Sequence, residues 1–267
     1  MIGPPSLEKP ILLLTNDDGM FAPGIRVLYE KMVGDATVIV VAPDREQSGV
    51  GHAFTFNVPI HYEKTAADHV PPGYIVSGTP VDCVKFAVSH LMKKHPDVII
   101  SGLNLGENSG LSAFYSGTVA AAREGAFWDI TSIAFSLCIE GKEHLDAYAA
   151  MTPAIMKQLV LADKKRNKKE DRIFYNVNFP ACKPSNIRGI KVTQQSRAFF
   201  DDRYERIEVA THRTGEGFVI TGEKIDIEKS DDYDSRALMN GFITITPLSF
   251  DATAREGVEA LKEIKLN

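Results

Sequence analysis

The feature that most constrains this chain is an alternation of short apolar runs with helix-spaced stretches, sustained as far as Phe179. Ile11–Leu14, Thr37–Val41, Tyr74–Val76, Val98–Ile100, Ile130–Leu137 and Ile173–Phe179 read as strands, the second rich in β-branched residues. Between most of them lie stretches with helical spacing: Ile25–Val33, Asp82–Lys94, the Ala-rich Val119–Trp128, and His144–Leu161. A βαβ alternation predicts an α/β protein, a mostly parallel sheet with helices on both faces. After residue 187 the pattern changes. Gly189–Ser196, Ile207–Ala210 and Gly217–Ile220 read as antiparallel strands or a long hairpin, Phe242–Thr246 as a last strand and Ala254–Ile264 as a terminal helix. The expected organisation is one domain over 1–267, with an α/β core at 10–180, a β-rich extension at 187–249 and a closing helix at 252–267. The charge run Lys164–Asp171 reads as a solvated loop or frayed helix end.

Composition removes several classes of function. The 267 residues are 44% hydrophobic and 24% charged, enough apolar surface to offset chain entropy. A formal net charge of −5 argues against a nucleic-acid polymer as partner, since that affinity comes from many Lys and Arg contacts to phosphate. A single small phosphate ester remains open to it, given a metal or backbone amides. Cys83, Cys138 and Cys182 are far apart and odd in number, so neither a disulfide framework nor a thiolate zinc site is expected. With no basic-then-apolar leader and no long apolar stretch, the expectation is a soluble, cytoplasmic protein with reduced thiols and no membrane partner.

In an open α/β sheet, ligands bind beyond the carboxyl ends of the strands, so the polar residues following each apolar run matter most. Thr15-Asn16-Asp17-Asp18-Gly19 follows the first run. Successive side chains of an extended strand point to opposite faces, so Asp17 and Asp18 converge only where the chain turns, which Gly19 permits. Carboxylates forced together want a cation, and an oxygen-rich set suits Mg²⁺, Mn²⁺ or Ca²⁺. The alternative is one Asp capping the next helix and the other solvated. The second run leads to Asp44–His52, where Ser48 offers a hydroxyl and Gly49 a backbone N–H, outside any G-x-S-x-G frame. His52 reads as a loop histidine or a base. After Val98–Ile100 come Asn104 and Asn108, carboxamides able to meet a metal or phosphate oxygen without adding charge. Ser116-Gly117-Thr118 opens the Ala-rich helix, as an anion site or a plain N-cap. Together these are the inventory of a metal-assisted phosphate ester hydrolase, in which a metal-activated water needs no protein nucleophile.

The segments TNDDGMFAPGI, VVAPDREQSGVGHAFT, SGTPVDCVKFAV, PDVIISGLNLGENSG and YSGTVAAAREGAF strongly resemble the SurE, or stationary-phase survival protein, family. FYNVNFP and YDSRALMNGFITITPL resemble its downstream motifs. The resemblance runs from about residue 10 to 250. It implies a Rossmann-like phosphohydrolase acting on nucleoside 5′-monophosphates, and on 3′-monophosphates as a further class, with one divalent metal such as Mg or Mn. By the family's motifs Asp17, Asp18, Ser48 and Asn104 would ligate the metal, with Asp17, Asp18 and Asn104 catalytic. Asn16, Gly49, Asn108, Ser116, Gly117 and Thr118 would line the substrate's phosphate pocket. Exchange of the β-rich arm between subunits implies a homodimer or homotetramer. Two other classes remain in view at this stage: a covalent enzyme using Asp or Ser48 with His52, and a binding protein without turnover.

Overall fold

The computed structural model describes residues 9–65, 70–166, 172–207 and 216–264. Its elements in chain order are β1 Ile11–Thr15, α1 Pro23–Met32, β2 Thr37–Pro43, β3 Tyr62–Lys64, β4 Gly73–Val76, α2 Pro80–Phe86 and β5 Val98–Leu105. There follow α3 Ser112–Tyr115, α4 Gly117–Phe127, β6 Thr131–Leu137, α5 Leu145–Ala149, α6 Thr152–Lys165 and β7 Ile173–Phe179. The last third contains β8 Ile190–Val192, β9 Phe199–Phe200, β10 Arg203–Ile207, β11 Gly217–Thr221, β12 Lys224–Ile225, α7 Asp234–Met239, β13 Ile243–Ser249 and α8 Arg255–Lys262.

Nine strands form one sheet in the order β3-β4-β2-β1-β5-β6-β7-β13-β8. From β4 to β7 every neighbour is parallel. β3 and β13 pair antiparallel with β4 and β7, and β8 runs parallel to β13. The chain steps outward from β1 through β2 to β4, then crosses back to β5 on the other side of β1. That reversal opens a crevice at the carboxyl ends of β1 and β5.

Both faces of the sheet are covered, which is why the strands are continuous apolar runs. Leu12 and Leu14 of β1 face one core with Ile25, Leu28 and Met32 of α1 and Ile155, Met156 and Leu159 of α6. Leu13, between them in sequence, faces the other core with Cys83 and Val84 of α2 and Ala121 of α4. Full burial of a leucine is worth about 1.5–3 kcal/mol, so β1 anchors both layers. All three cysteines are free.

Three expectations differ from the structure. The single helix at 144–161 is a 3₁₀ turn followed by α5 and α6, with the break just before Pro153, which has no N–H to extend a preceding helix. Gly189–Ser196 does not join a hairpin: its strand β8 enters the main sheet parallel to β13. The helix at 82–94 starts at Pro80, capped by Thr79 with Asp82, and passes into a π turn after Phe86. The β10–β11 hairpin is antiparallel. Residues 208–215 lie outside the described residues, and with them most of the strand expected at Ile207–Ala210.

Gly24 shows how tightly the crevice end is built. A Cβ there would stand 2.0 Å from the Leu103 carbonyl oxygen of β5. Gly24→Ala is therefore expected to lower stability by about 1–3 kcal/mol, read as a lower urea midpoint with an unchanged slope.

Candidate active site

The residues after β1 form a closed turn. Asn16 Nδ2 donates to the Gly19 carbonyl at 2.9 Å, and Gly19 N donates to Asn16 Oδ1 at 3.2 Å. Gly19 adopts φ +94°, and a Cβ there would press on the Arg45 backbone at 3.2 Å. The Asn16 amide is thus committed to the turn that turns Asp17 and Asp18 into the crevice. The β2 loop packs on the same turn: Gln47 N donates to the Asp17 carbonyl at 2.7 Å and Met20 N to the Pro43 carbonyl at 2.9 Å.

Asp17 is buried against the start of α4. Its Oδ2 accepts from Thr118 N at 3.1 Å, and its Oδ1 accepts from the Thr118 hydroxyl. Ser116 caps the helix, its Oγ accepting from Val119 N at 3.1 Å. Gly117 allows this approach, because a Cβ there would meet Asp17 Cβ at 2.9 Å. The helix N-terminus, with its partial positive charge, therefore holds a carboxylate of the chain itself.

Asp18 beside it is half-buried. Burial pushes the Asp17 carboxyl up, with Thr118 opposing and Glu46 adding to the rise. Burial, then the charges of Asp17 and Glu46, pushes Asp18 up to about 7. Among the described residues neither carboxylate has an ion-pair partner.

The remaining residues divide. Ser48 is exposed and donates to Glu46 Oε1 at 2.7 Å, and Gly49 follows at φ +72°. His52 is turned elsewhere: its Nε2 lies 3.2 Å from Glu124 Oε2, which leaves no Ser48–His52 pair. Asn104 lies near the end of β5, beyond a register shift, its Nδ2 donating to the Gly106 carbonyl at 2.6 Å. Asn108 is a buried strut. It donates from N to Asn178 Oδ1 at 2.7 Å and from Nδ2 to Ser136 Oγ at 2.8 Å, and accepts from Asn176 Nδ2 at 2.7 Å.

Several groups that build the site escape sequence reasoning. Glu46 holds Ser48. Asp82 accepts from Thr55 N at 2.9 Å and Glu124 receives Lys85 and Trp128, pinning the loop beyond Ser48. Burial raises the Glu124 carboxyl, but its three hydrogen-bond partners outweigh that and hold it below the usual range. Asp234 accepts from Gly110 N at 3.1 Å and Ser196 N at 2.9 Å, fixing the loop after β5 from 124 residues away in the chain. Only the capping box of Thr79 with Asp82 has a sequence signature.

The fold and crevice define a Rossmann-like α/β protein with an acidic, oxygen-lined site at its switch point. The chain belongs to the SurE family, whose model, Survival protein SurE, matches residues 12–202. It is 39% identical over 262 residues to "5'-nucleotidase SurE" of Flavobacterium psychrophilum, covering 98% of this chain and 100% of that one. With the protein of the same name from Syntrophus aciditrophicus the identity is 37% over 254 residues, 94% of this chain and 92% of the relative. The solved SurE protein of Aquifex aeolicus superposes with a TM-score of 0.77 at 35% identity, covering 95% of this chain and 98% of that structure.

The Asp18 shift fixes a sign. A carboxyl that titrates near 7 when folded and near 3.8 when free binds its proton more tightly in the folded state. Stability then falls as pH rises from about 4 to about 7 and stays reduced above that. Asp18→Asn is expected to raise the melting temperature of metal-free protein in EDTA at pH 8, with a smaller gain at pH 5. An equal or lower melting temperature at pH 8 would contradict it.

Proposed function

We propose that this chain is a divalent-metal-dependent 5′-nucleotidase, releasing phosphate from nucleoside 5′-monophosphates and, as a further class, from 3′-monophosphates. The observation that supports it most is the adjacent carboxylates of Asp17, buried, and Asp18, half-buried, which among the described residues have no ion-pair partner. That arrangement costs stability, and a bound cation offsets it. The curated relatives carry the name 5'-nucleotidase over nearly the full chain.

The donor chemistry fits a hard cation. Among the described residues no three His, Cys, Asp or Glu side chains gather, so two carboxylates would be completed by neutral oxygens. Asp17, Asp18, Ser48 and Asn104 would hold the ion, and Mg²⁺ and Mn²⁺ both accept this set. When bound, it would polarise the phosphoryl oxygen and lower the pKa of a water. The chain's own groups orient the ester. The Gly49 amide and the Ser116–Thr118 segment, whose Thr118 N–H and hydroxyl are engaged by Asp17, would line the phosphate's side of the site, Asn16 holds the turn, and Asn108 holds the β5 loop. The covalent reading loses support because Ser48 bonds Glu46 and His52 bonds Glu124, with no hydrogen bond between the two.

Among the described residues no helix is long and apolar enough to cross a membrane. The β10–β11 hairpin exposes Tyr204, Phe218, Val219 and Ile220. An isolated two-stranded hairpin is marginal in water, and a second copy of the chain is the cover we propose, giving a homodimer or homotetramer.

Phosphate release from 5′- and 3′-nucleoside monophosphates should appear with Mg²⁺ or Mn²⁺ and vanish in EDTA. Asp17→Asn and Asp18→Asn should each retain less than about a tenth of the rate with the fold intact by circular dichroism. A rate indifferent to EDTA, or retained by both variants, defeats the reading. Phe218→Glu should lower the mass seen by light scattering; an unchanged mass removes the hairpin from the interface.

A further inference from the structure

The segments that carry Asp17 and Ser48 are held to each other by a closed circuit of contacts through α4. At the start of that helix the Thr118 amide and hydroxyl bind the Asp17 carboxylate. Further along the same helix Glu124, its side chain 4% exposed, meets His52 Nε2 at 3.2 Å. His52 belongs to the loop after β2, and that loop closes the circuit: Gln47 N donates to the Asp17 carbonyl at 2.7 Å. Ser48 and Gly49 stand between these attachments. Gly49 at φ +72° and Gly51 at φ +59° leave the span permissive, so its place is set by what holds its ends. At the downstream end the backbone contributes one tie, Gly51 N to the Tyr115 carbonyl at 2.8 Å, and the His52 side chain contributes the other.

Glu124 divides its two oxygens. Oε1 accepts from Lys85 Nζ at 3.3 Å and from Trp128 Nε1 at 3.0 Å, while Oε2 has His52. An ionised carboxylate only accepts, so the shared hydrogen sits on His52 Nε2. The other ring nitrogen, Nδ1, is buried and has no hydrogen bond among the described residues. Nε2 is therefore the ring's polar attachment, and neither nitrogen is free to take a proton from a water or a substrate. The Phe127 ring flanks the imidazole, 5.2 Å between centroids. This geometry suits His52 to holding the loop and not to acting as a base.

We propose that His52, anchored by Glu124, is a positioning residue that fixes the place of Ser48 relative to the Asp17–Asp18 turn. The role rests on the metal-dependent reading above and extends it, from the groups that would meet the ion to the group that sets the loop. One helix then serves both halves of the site, Asp17 at its first turn and the Ser48 loop further along. Lys85 and Trp128 do not replace His52, since both bond the other Glu124 oxygen and neither lies in the loop. Groups that orient metal-binding residues from behind typically govern metal affinity by about 10–100-fold.

Two variants separate the hydrogen bond from the ring. His52→Phe keeps an aromatic ring against Phe127 and loses Nε2. His52→Gln loses the ring and keeps an N–H donor at similar reach. Mn²⁺ alone is titrated calorimetrically into the metal-free, full-length protein, with circular dichroism and melting temperature recorded for each variant. His52→Phe is expected to bind Mn²⁺ about tenfold more weakly, and His52→Gln within about twofold of wild type. His52→Ala carries the same expectation as His52→Phe and replaces it if the larger ring disrupts the fold. In a Ser48→Ala background the loss of Nε2 is expected to cost little more, because its effect runs through Ser48. A role limited to stability would lower the melting temperature and leave Mn²⁺ affinity unchanged. That result, an equal loss in His52→Gln, or a loss that adds in full to that of Ser48→Ala overturns the proposal. Wild-type protein that binds no Mn²⁺ overturns it together with the cation site. Phosphate release by a protein whose Mn²⁺ affinity ignores His52→Phe defeats this proposal alone. The expected Mn²⁺ pattern without phosphate release from any nucleotide supports the positioning role and defeats the nucleotidase reading.

Discussion

Two carboxylates held together in a half-dry crevice are the constraint around which this structure is organised. Ionised Asp17 and Asp18 repel and lose hydration, and both are pushed toward the neutral form. The chain counters this only in part. The Thr118 hydroxyl and amide, at the positive end of α4, hold Asp17. Asn16 closes the turn that keeps Asp18 beside it. Glu46, on the neighbouring loop, adds further negative charge where stability alone would favour a lysine. A bound cation, as proposed above, would offset that cost.

The scaffold supplies the rigidity that this requires. β1 is buried on both faces, Leu12 and Leu14 in one core and Leu13 in the other, so the strand carrying the carboxylates does not shift without disturbing both layers. Close approaches do the rest. Gly24 brings α1 onto the Leu103 carbonyl, and Gly117 brings α4 onto Asp17. Further out, the loop after β5 is clamped by groups distant in sequence, with Asp234 on the Gly110 amide and Lys224 on Glu107 and Ser109. The late part of the chain is thus built into the rim of the crevice.

The core was legible because its signal is local and repeated. Apolar runs that need cover on both faces leave few architectures open, and the polar loop after each run falls at the carboxyl edge by construction. Differences arose where the competing signal was a single residue or a distant partner. Pro153 splits a stretch whose periodicity reads as one helix. β8 looks like hairpin material until β13, more than fifty residues later, offers it a parallel edge. The family resemblance implies Asn16 and Asn108 as substrate contacts; in the folded chain the amide of one closes a turn and that of the other braces a loop.

The sequence by itself determined the class of fold, the order of its parts, and which loops carry carboxylates, carboxamides and the hydroxyl, since these follow from periodicity and from residue chemistry within a few positions. Only the tertiary structure decided what each group touches. Asp17 meets Thr118 across 101 residues, His52 meets Glu124 across 72, and Lys224 meets Glu107 across 117. Contacts at such separations leave no periodic trace, because they depend on how whole layers pack rather than on what stands nearby in the chain.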